Sequence, residues 1–166
     1  MSTENLHRTI VRGIGVSPGR AAARVAQFAG DIPPPDADAQ LGPDADLEEA
    51  AATIQTHAVK VAEELTSAAD SASGDAAEIL ATTAQMAADP TLVQVAQGKV
   101  RDQRKTPARA VWEAADGIAD QLAALGGYMA ERVRDVQDVR NRVVASLLDL
   151  PMPGIPHRPE PLVLLA

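Results

Sequence analysis

Hydrophobic residues recur every three or four positions between Asp44 and Leu150, which is the spacing that places side chains on one face of an α-helix. The first stretch of this pattern predicts a helix that ends near Ser71, before Gly74. Its apolar stripe consists of Leu47, Ile54, Ala58, Val61 and Leu65. A helix with one apolar face buries it against a neighbour, so the pattern as a whole predicts a helical bundle.

The remaining helices are predicted from the same spacing and from two prolines. Pro90 and Pro107 both stand where a helix can begin, because the first helical N–H has no intrahelical partner to lose. The expected helices run from about Asp75 to Ala88, from Pro90 through Val100, from Pro107 to Gly126-Gly127, and from about Tyr128 to Asp149. The side chains expected to face inward are Ile79, Leu80, Thr83, Met86, Leu92, Val95, Val100, Val111, Ile118, Leu122, Leu125, Met129, Val133, Val136, Val143 and Leu147.

The two ends of the chain have a different pattern, which predicts short β-strands. Thr9 to Val16 carries apolar residues at alternate positions, and Ala21 to Phe28 is expected to pair with it after the Ser17-Pro18-Gly19 turn. Leu162 to Leu165 are four consecutive apolar residues, which is typical of a buried strand. The expected fold is therefore mainly α, a four-helix bundle with a short extra helix, with β-strands at both ends.

This pattern divides the chain into four parts. Residues 1–30 form an N-terminal strand pair, 31–43 a proline-rich linker, 44–150 the helical subdomain and 151–166 a return segment with the last strand.

Composition narrows the classes of function. The chain has 15 basic and 23 acidic residues and a net charge of −8, which argues against nucleic-acid binding and favours a basic protein partner. Thiolate catalysis and cysteine-ligated zinc are excluded because there is no cysteine. The histidines have no metal-ligand spacing, and His57 is expected to be a solvated surface residue. No apolar run is long enough to cross a membrane, and the N-terminus is polar, so a cytoplasmic protein is expected.

Two clusters of polar residues are candidates for a binding surface. Arg132 and Asp135, on the last helix, are three residues apart and share one face. They form either a solvated ion pair or the border of an interface with a charged partner.

The second cluster consists of Asp75, Glu78, Asp89, Met86 and Leu92. Three acids around an apolar centre suit a basic partner with an exposed apolar patch. The alternative interpretation is that Met86 and Leu92 belong to the core, and the sequence does not choose between the two.

Several short motifs occur in an order that resembles a known family. They are Gly13-Ile14-Gly15-Val16-Ser17-Pro18-Gly19, Met86-Ala87-Ala88-Asp89-Pro90-Thr91-Leu92, Pro107-Ala108-Arg109-Ala110-Val111, and Glu131-Arg132 followed by Asp135-Val136, Asp138-Val139 and Arg142. Over nearly the whole chain, their order and spacing resemble the N-terminal part of enzyme I of the phosphoenolpyruvate-dependent sugar phosphotransferase system.

The resemblance implies a helical subdomain, inserted into an α/β phosphohistidine subdomain, that docks the small phosphocarrier protein HPr. In this family a histidine takes a phosphoryl group from phosphoenolpyruvate and passes it to HPr. The G-G-x-T-S-H motif that carries this histidine does not occur in the sequence. The domain that binds phosphoenolpyruvate and magnesium is also expected to be absent. We therefore expect HPr binding without phosphoryl transfer, and neither a catalytic residue nor a cofactor in this chain.

Transferred position by position, the resemblance implies a docking face on the helical subdomain. Its expected members are Asp75, Glu78, Thr83, Met86, Asp89, Leu92, Met129, Arg132 and Asp135. Thr83 departs from the family pattern, because many relatives have histidine at this position. Two other interpretations stay open: one piece of a larger enzyme, or an unrelated acidic bundle that pairs with another protein.

Overall fold

A computed structural model describes residues 22–27, 32–152, 160 and 162–165 of the chain. The helices are α1 (Leu47–Ser71), α2 (Asp75–Ala87), α3 (Pro90–Gln103), α4 (Pro107–Leu125), α5 (Gly127–Glu131) and α6 (Val133–Leu147), and the strands are β1 (Arg24–Gln27) and β2 (Leu162–Leu165). This arrangement confirms the expected mainly α fold with strands toward both ends. The strand predicted at Thr9 to Val16 lies outside the described residues.

Side chains beside the helix ends fix where several helices begin. The Asp46 carboxylate accepts hydrogen bonds from two first-turn N–H groups of α1, at 2.9 and 3.1 Å. Asp89 caps α3 in the same way, accepting from the Thr91 N–H at 2.7 Å. Pro107 stands in the first turn of α4 as predicted, but Thr106 before it makes no side-chain capping bond.

The chain reverses direction after α4 through two glycines. Gly126 has a φ of +67° and Gly127 a φ of +53°, a left-handed conformation that glycine adopts without steric cost. The single helix predicted from Tyr128 to Asp149 is wrong, because a turn at Arg132 separates α5 from α6. The core sets the direction of α6, whereas α5 has no buried residue and follows the glycine turn.

The core is built around α1, which packs against α2, α3, α4 and α6. Its largest fully buried side chains are one isoleucine, Ile54, and six valines, and many other buried positions are alanine. Such small side chains allow the helix axes to approach closely.

Four residues predicted to face inward are exposed instead. They are Ile79 at 65 %, Val95 at 44 %, Leu125 at 71 % and Met129 at 45 %. In α2 the side that faces the core carries Leu80, Ala84 and Ala87, and each successive residue is rotated by about 100° around the axis. Ile79 therefore lies off this side, although the sequence spacing admits it.

The two strands pair in parallel, with Arg24 opposite Leu162 and Gln27 opposite Leu165. β1 lies within the predicted strand Ala21 to Phe28, and β2 is confirmed at its predicted residues. Parallel strands need a long crossover connection, and here the entire helical bundle is that connection.

Residues 32–43, called here the proline-rich segment, pack along the turn between α3 and α4. Ile32 is buried in the core, and Leu41 packs against it. The Leu41 N–H donates to the Arg104 carbonyl at 2.7 Å, and the Thr106 N–H donates to the Ala39 carbonyl at 3.2 Å. The stretch expected to be a linker thus has a fixed position on the bundle.

Candidate functional site

A groove of about 240 Å³ lies between α2 and the junction of α5 with α6. The α2–α6 groove is lined by Glu78, Ile79, Thr82, Thr83, Met86, Arg132 and Asp135. The charged side chains stand beside the apolar side chains of Ile79 and Met86, so the groove offers both charge and apolar surface to a partner.

A second depression of about 270 Å³ adjoins the groove. This apolar pocket is lined by Met86, Asp89, Thr91, Leu92, Ile118, Leu122, Val136 and Val139. Met86 lines both cavities, so the α2–α6 groove and the apolar pocket are adjacent at this side chain. Its half-buried thioether can adapt to the shape of an apolar side chain on a partner.

Arg132 is held in place by its own neighbours along the chain. Its guanidinium donates to Asp135 Oδ2 at 3.2 Å and to the hydroxyl of Tyr128. The guanidinium carbon also lies 5.0 Å from the centroid of the Tyr128 ring, within cation–π range. The hydrogen bond to Tyr128, followed by that to Asp135, raises the pKa of Arg132 above its usual value. These contacts fix one cation at the rim of an otherwise acidic groove.

Asp89 and Leu92 line the apolar pocket and also stabilise the fold, Asp89 as the cap of α3 and Leu92 as a core residue. The hydrogen bond from Thr91 lowers the pKa of Asp89, which keeps the α3 cap ionised. Asp89 is exposed, whereas Leu92 is only 8 % exposed and packs in the core. A partner would therefore reach the edge of Leu92 rather than its whole side chain.

The structure brings together most of the nine residues implied by the resemblance. Glu78, Thr83, Met86, Arg132 and Asp135 line the groove, and Asp89 and Leu92 join Met86 in the pocket. Asp75 and Met129 line neither cavity.

Asp75 is exposed in the first turn of α2, one helical turn before Glu78. Met129 is exposed on α5, one turn before the junction. The Thr83 hydroxyl donates to the Ile79 carbonyl at 2.9 Å, so its hydrogen-bond acceptor lies within its own helix.

Sequence reasoning missed several residues of this surface. They are Ile79, Thr82, Thr91, Ile118, Leu122, Tyr128, Val136 and Val139. Four of these were not recognised because apolar spacing had assigned them to the interior. Tyr128 had a usable signal, since it precedes Arg132 by four residues, which places the two side chains on one helical face.

Neither a metal site nor a membrane-spanning helix is found in the described part of the chain. His57 is half-buried, and its Nδ1 lies 2.8 Å from the hydroxyl of the buried Ser146, so the prediction of a solvated surface histidine is wrong. Within residues 22–27, 32–152, 160 and 162–165, no three metal-ligating side chains converge. No helix in those ranges has the length and apolarity needed to cross a bilayer.

Sequence comparison identifies the family. The family described as "PEP-utilising enzyme, N-terminal" matches residues 12–132, well over half of the chain. The chain belongs to this family. It is 39 % identical over 158 residues to the phosphoenolpyruvate-protein phosphotransferase of Streptomyces coelicolor, covering 95 % of this chain and 28 % of that protein. The protein of the same name from Latilactobacillus sakei is 28 % identical over 101 residues, covering 60 % of this chain and 18 % of the relative.

The chain thus spans 28 % or less of the length of these curated relatives. Among solved structures, an NMR solution structure of Enzyme I superimposes with a TM-score of 0.64 at 20 % identity. The superposition covers 86 % of this chain and 58 % of the other. The shared fold and the family match confirm the resemblance that the order of the motifs suggested.

Proposed function

We propose that this chain docks the phosphocarrier protein HPr through the α2–α6 groove and the apolar pocket. The observation that carries the proposal is that Met86 and Arg132, which lie far apart in sequence, line the same groove. A single carrier can therefore touch both clusters that the sequence singled out. The proposal covers docking only and assigns no phosphoryl-transfer step to this chain.

Charge supports a basic partner for this surface. Glu78 and Asp135 line the groove, and Asp89 lines the adjoining pocket. Acidic groups of this kind steer a basic protein toward the surface, and dissolved salt screens the attraction. The rate of association with HPr is expected to fall as salt is added.

Arg132 gives the surface a directional contact. Because Tyr128 and Asp135 already hold its guanidinium, less side-chain entropy is lost when a partner contacts it. A fixed cation among carboxylates also favours one orientation of a partner that carries both signs of charge. We therefore assign orientation to Arg132 and apolar anchoring to Met86.

Titration calorimetry with HPr and Met86→Ala tests the anchoring role. Truncating an apolar anchor at the centre of an interface costs roughly 1–2 kcal/mol of binding free energy, or about a tenfold rise in Kd. Met152→Ala is the matched control, because Met152 also packs half-buried against the core but lines neither cavity. Circular dichroism checks that both variants keep their helices.

An NMR titration of the labelled chain with unlabelled HPr tests the surface as a whole. Shifted amides are expected around the groove and the pocket, with the far end of the bundle near Arg104 unaffected. Absence of binding at low salt would overturn the proposal and favour a different protein partner. Binding with all shifts at the far end would retain the partner and reject the surface.

A further inference from the structure

One arginine joins two of the helices that line the apolar pocket. Arg140, on α6, lies over the ring of Trp112 on α4, with its guanidinium carbon 3.6 Å from the ring centroid. It also donates from Nη1 to Asp116, one turn further along α4, and from Nε to Asn141 Oδ1 at 3.1 Å. The Arg140 side chain is only 11 % exposed, so this cation–π contact is largely shielded from water and stronger than one at an exposed site.

The buried side of α4 has few large side chains that could fix its position against α6. Beyond Val111, the buried residues of α4 are all alanine: Ala114, Ala115 and Ala119. Alanine lets helices approach closely but has no rotatable side chain to interlock with a neighbour. In the described part of the chain, the bond from Arg140 to Asp116 is the only side-chain hydrogen bond between these two helices. Arg140 therefore supplies the directional contact between α4 and α6.

The apolar pocket lies close to this contact. Four of its lining residues come from the same two helices: Ile118 and Leu122 from α4, and Val136 and Val139 from α6. Val139 precedes Arg140 by one residue and Ile118 follows Asp116 by two, so the contact is displaced from the pocket by only about 3 Å along the helix axes. The separation of α4 and α6 sets the width of the pocket, and Arg140 holds that separation.

From these contacts we propose that Arg140 is a positioning residue for HPr docking, which holds the α4 and α6 sides of the apolar pocket at the separation that accepts an apolar side chain of the carrier. The inference rests on the proposed docking function and adds a residue that lines neither cavity. A pocket that already has its bound geometry loses less freedom on binding, so the partner binds more tightly. Trp112 and Asp116 contribute by holding the guanidinium in place.

The fluorescence of Trp112 tests the contact itself. The chain has one tryptophan, so its emission reports on this ring alone. In Arg140→Ala the ring loses its cover, and we expect emission at longer wavelength and faster quenching by acrylamide. Alanine preserves the helix, and Asp116 is 45 % exposed, so its carboxylate stays solvated without its partner. Unchanged emission and quenching would show that the guanidinium does not cover the ring, and would overturn the proposal.

Titration calorimetry with HPr tests the positioning role. Arg140→Ala is expected to raise Kd about fivefold, because the sides of the pocket are no longer held at a fixed separation. Arg142→Ala is the matched control and should leave Kd unchanged, since the ion pair of Arg142 with Asp138 lies within α6 and joins no second helix. A native chain that does not bind HPr would reject the docking proposal. Native binding with an equal Kd in Arg140→Ala would reject only the role of Arg140.

A double-mutant cycle distinguishes positioning from a general loss of stability. Leu122→Ala removes part of the pocket lining, so Arg140 has less to position in that background. The two substitutions together are expected to raise Kd by less than the product of their separate effects. A fully multiplicative effect would show that Arg140 acts independently of the pocket and would overturn the inference. Should circular dichroism show that Arg140→Ala is unfolded, Arg140→Lys keeps a cation beside Trp112 and is expected to give the same non-additivity on a smaller scale.

Discussion

The two ends of the helical bundle use their charges in opposite ways. At the end where residues 32–43 pack on the bundle, called here the strap end, Lys99, Lys105 and Arg109 converge on Glu113. Lys105 and Arg109 also donate to backbone carbonyls 68 and 74 positions away in the chain. At the groove end, the contacts of Arg132 are all local, to residues three and four positions away. The strap end satisfies its charges internally, whereas the groove end leaves acidic and apolar groups open to solvent.

Two large apolar side chains beside the groove are far more exposed than the apolar side chain that anchors residues 32–43. Ile79 and Tyr128, beside the groove, are 65 % and 62 % exposed, whereas Ile32 at the strap end is 7 % exposed. Contiguous exposed apolar groups beside charged ones are typical of a protein interaction site. The difference indicates that substitutions at the strap end will reduce stability, and those at the groove end will reduce binding.

The largest expected effect is from Glu113→Gln. The change leaves three partly buried cations without their carboxylate, which costs about 2 kcal/mol of unfolding free energy after allowance for the exposed fifth of the side chain. Urea denaturation measures this difference. Glu48→Gln is the control, because its ion pair with Arg101 is exposed and its loss should leave the unfolding midpoint unchanged. Equal losses of unfolding free energy in the two variants would contradict the prediction that the partly buried ion pairs stabilise the fold more than the exposed one.

The same carboxylate makes stability depend on pH. Burial raises the pKa of Glu113, but hydrogen bonds from Arg109 and Lys99 outweigh it and hold the pKa below the ordinary value of 4.5. A group whose pKa is lowered by folding stabilises the protein above its unfolded pKa, and this stability is lost as pH falls through the folded pKa. The difference in unfolding free energy between the native protein and Glu113→Gln should therefore shrink below about pH 4.5. A difference that grows with acid would contradict the assigned direction.

Two substitutions at Asp89 distinguish its effect on stability from its effect on binding at the groove end. Asp89→Ala removes the cap of α3 and is expected to cost about 1 kcal/mol, whereas Asp89→Asn keeps a capping oxygen and nearly all of that stability. Thermal unfolding measures this contrast. If the charge also steers HPr, both variants will slow association at low salt to the same extent. Normal association in Asp89→Asn would assign the residue to the cap alone.

The smallest expected effect is from Tyr128→Phe. The ring and its contact with Arg132 remain, but the hydroxyl that accepts a hydrogen bond from the guanidinium is lost. The affinity for HPr is expected to fall about threefold, and the unfolding midpoint is expected to stay the same. Asp138→Asn, which loses a local ion pair with Arg142 outside the groove, should leave the affinity unchanged. A lower unfolding midpoint with unchanged affinity would show that the Tyr128 contact stabilises the fold and does not contribute to HPr binding.

Local sequence determined much of the helical fold. The apolar stripe that begins at Leu47 predicted α1, and Gly74 predicted its end near Ser71, because apolar spacing and helix-end signals both act within a few residues. Asp89 and the two prolines set the starts of α3 and α4 for the same reason. The strand at Leu162 to Leu165 was also predictable, from its run of apolar residues.

Tertiary structure decided which apolar residues are buried and which residues share a surface. Ile79 and Leu80 are adjacent and almost equally apolar, and only the position of α1 determines that Leu80 packs on the core. Met86 meets Arg132 because the glycine turn sends α5 and α6 back along α2. The position of residues 32–43 on the bundle likewise depends on contacts such as that between Pro35 and Arg109, which are too far apart in the chain for a local pattern to predict. Local spacing acts over one or two helical turns, whereas these contacts depend on how whole helices pack.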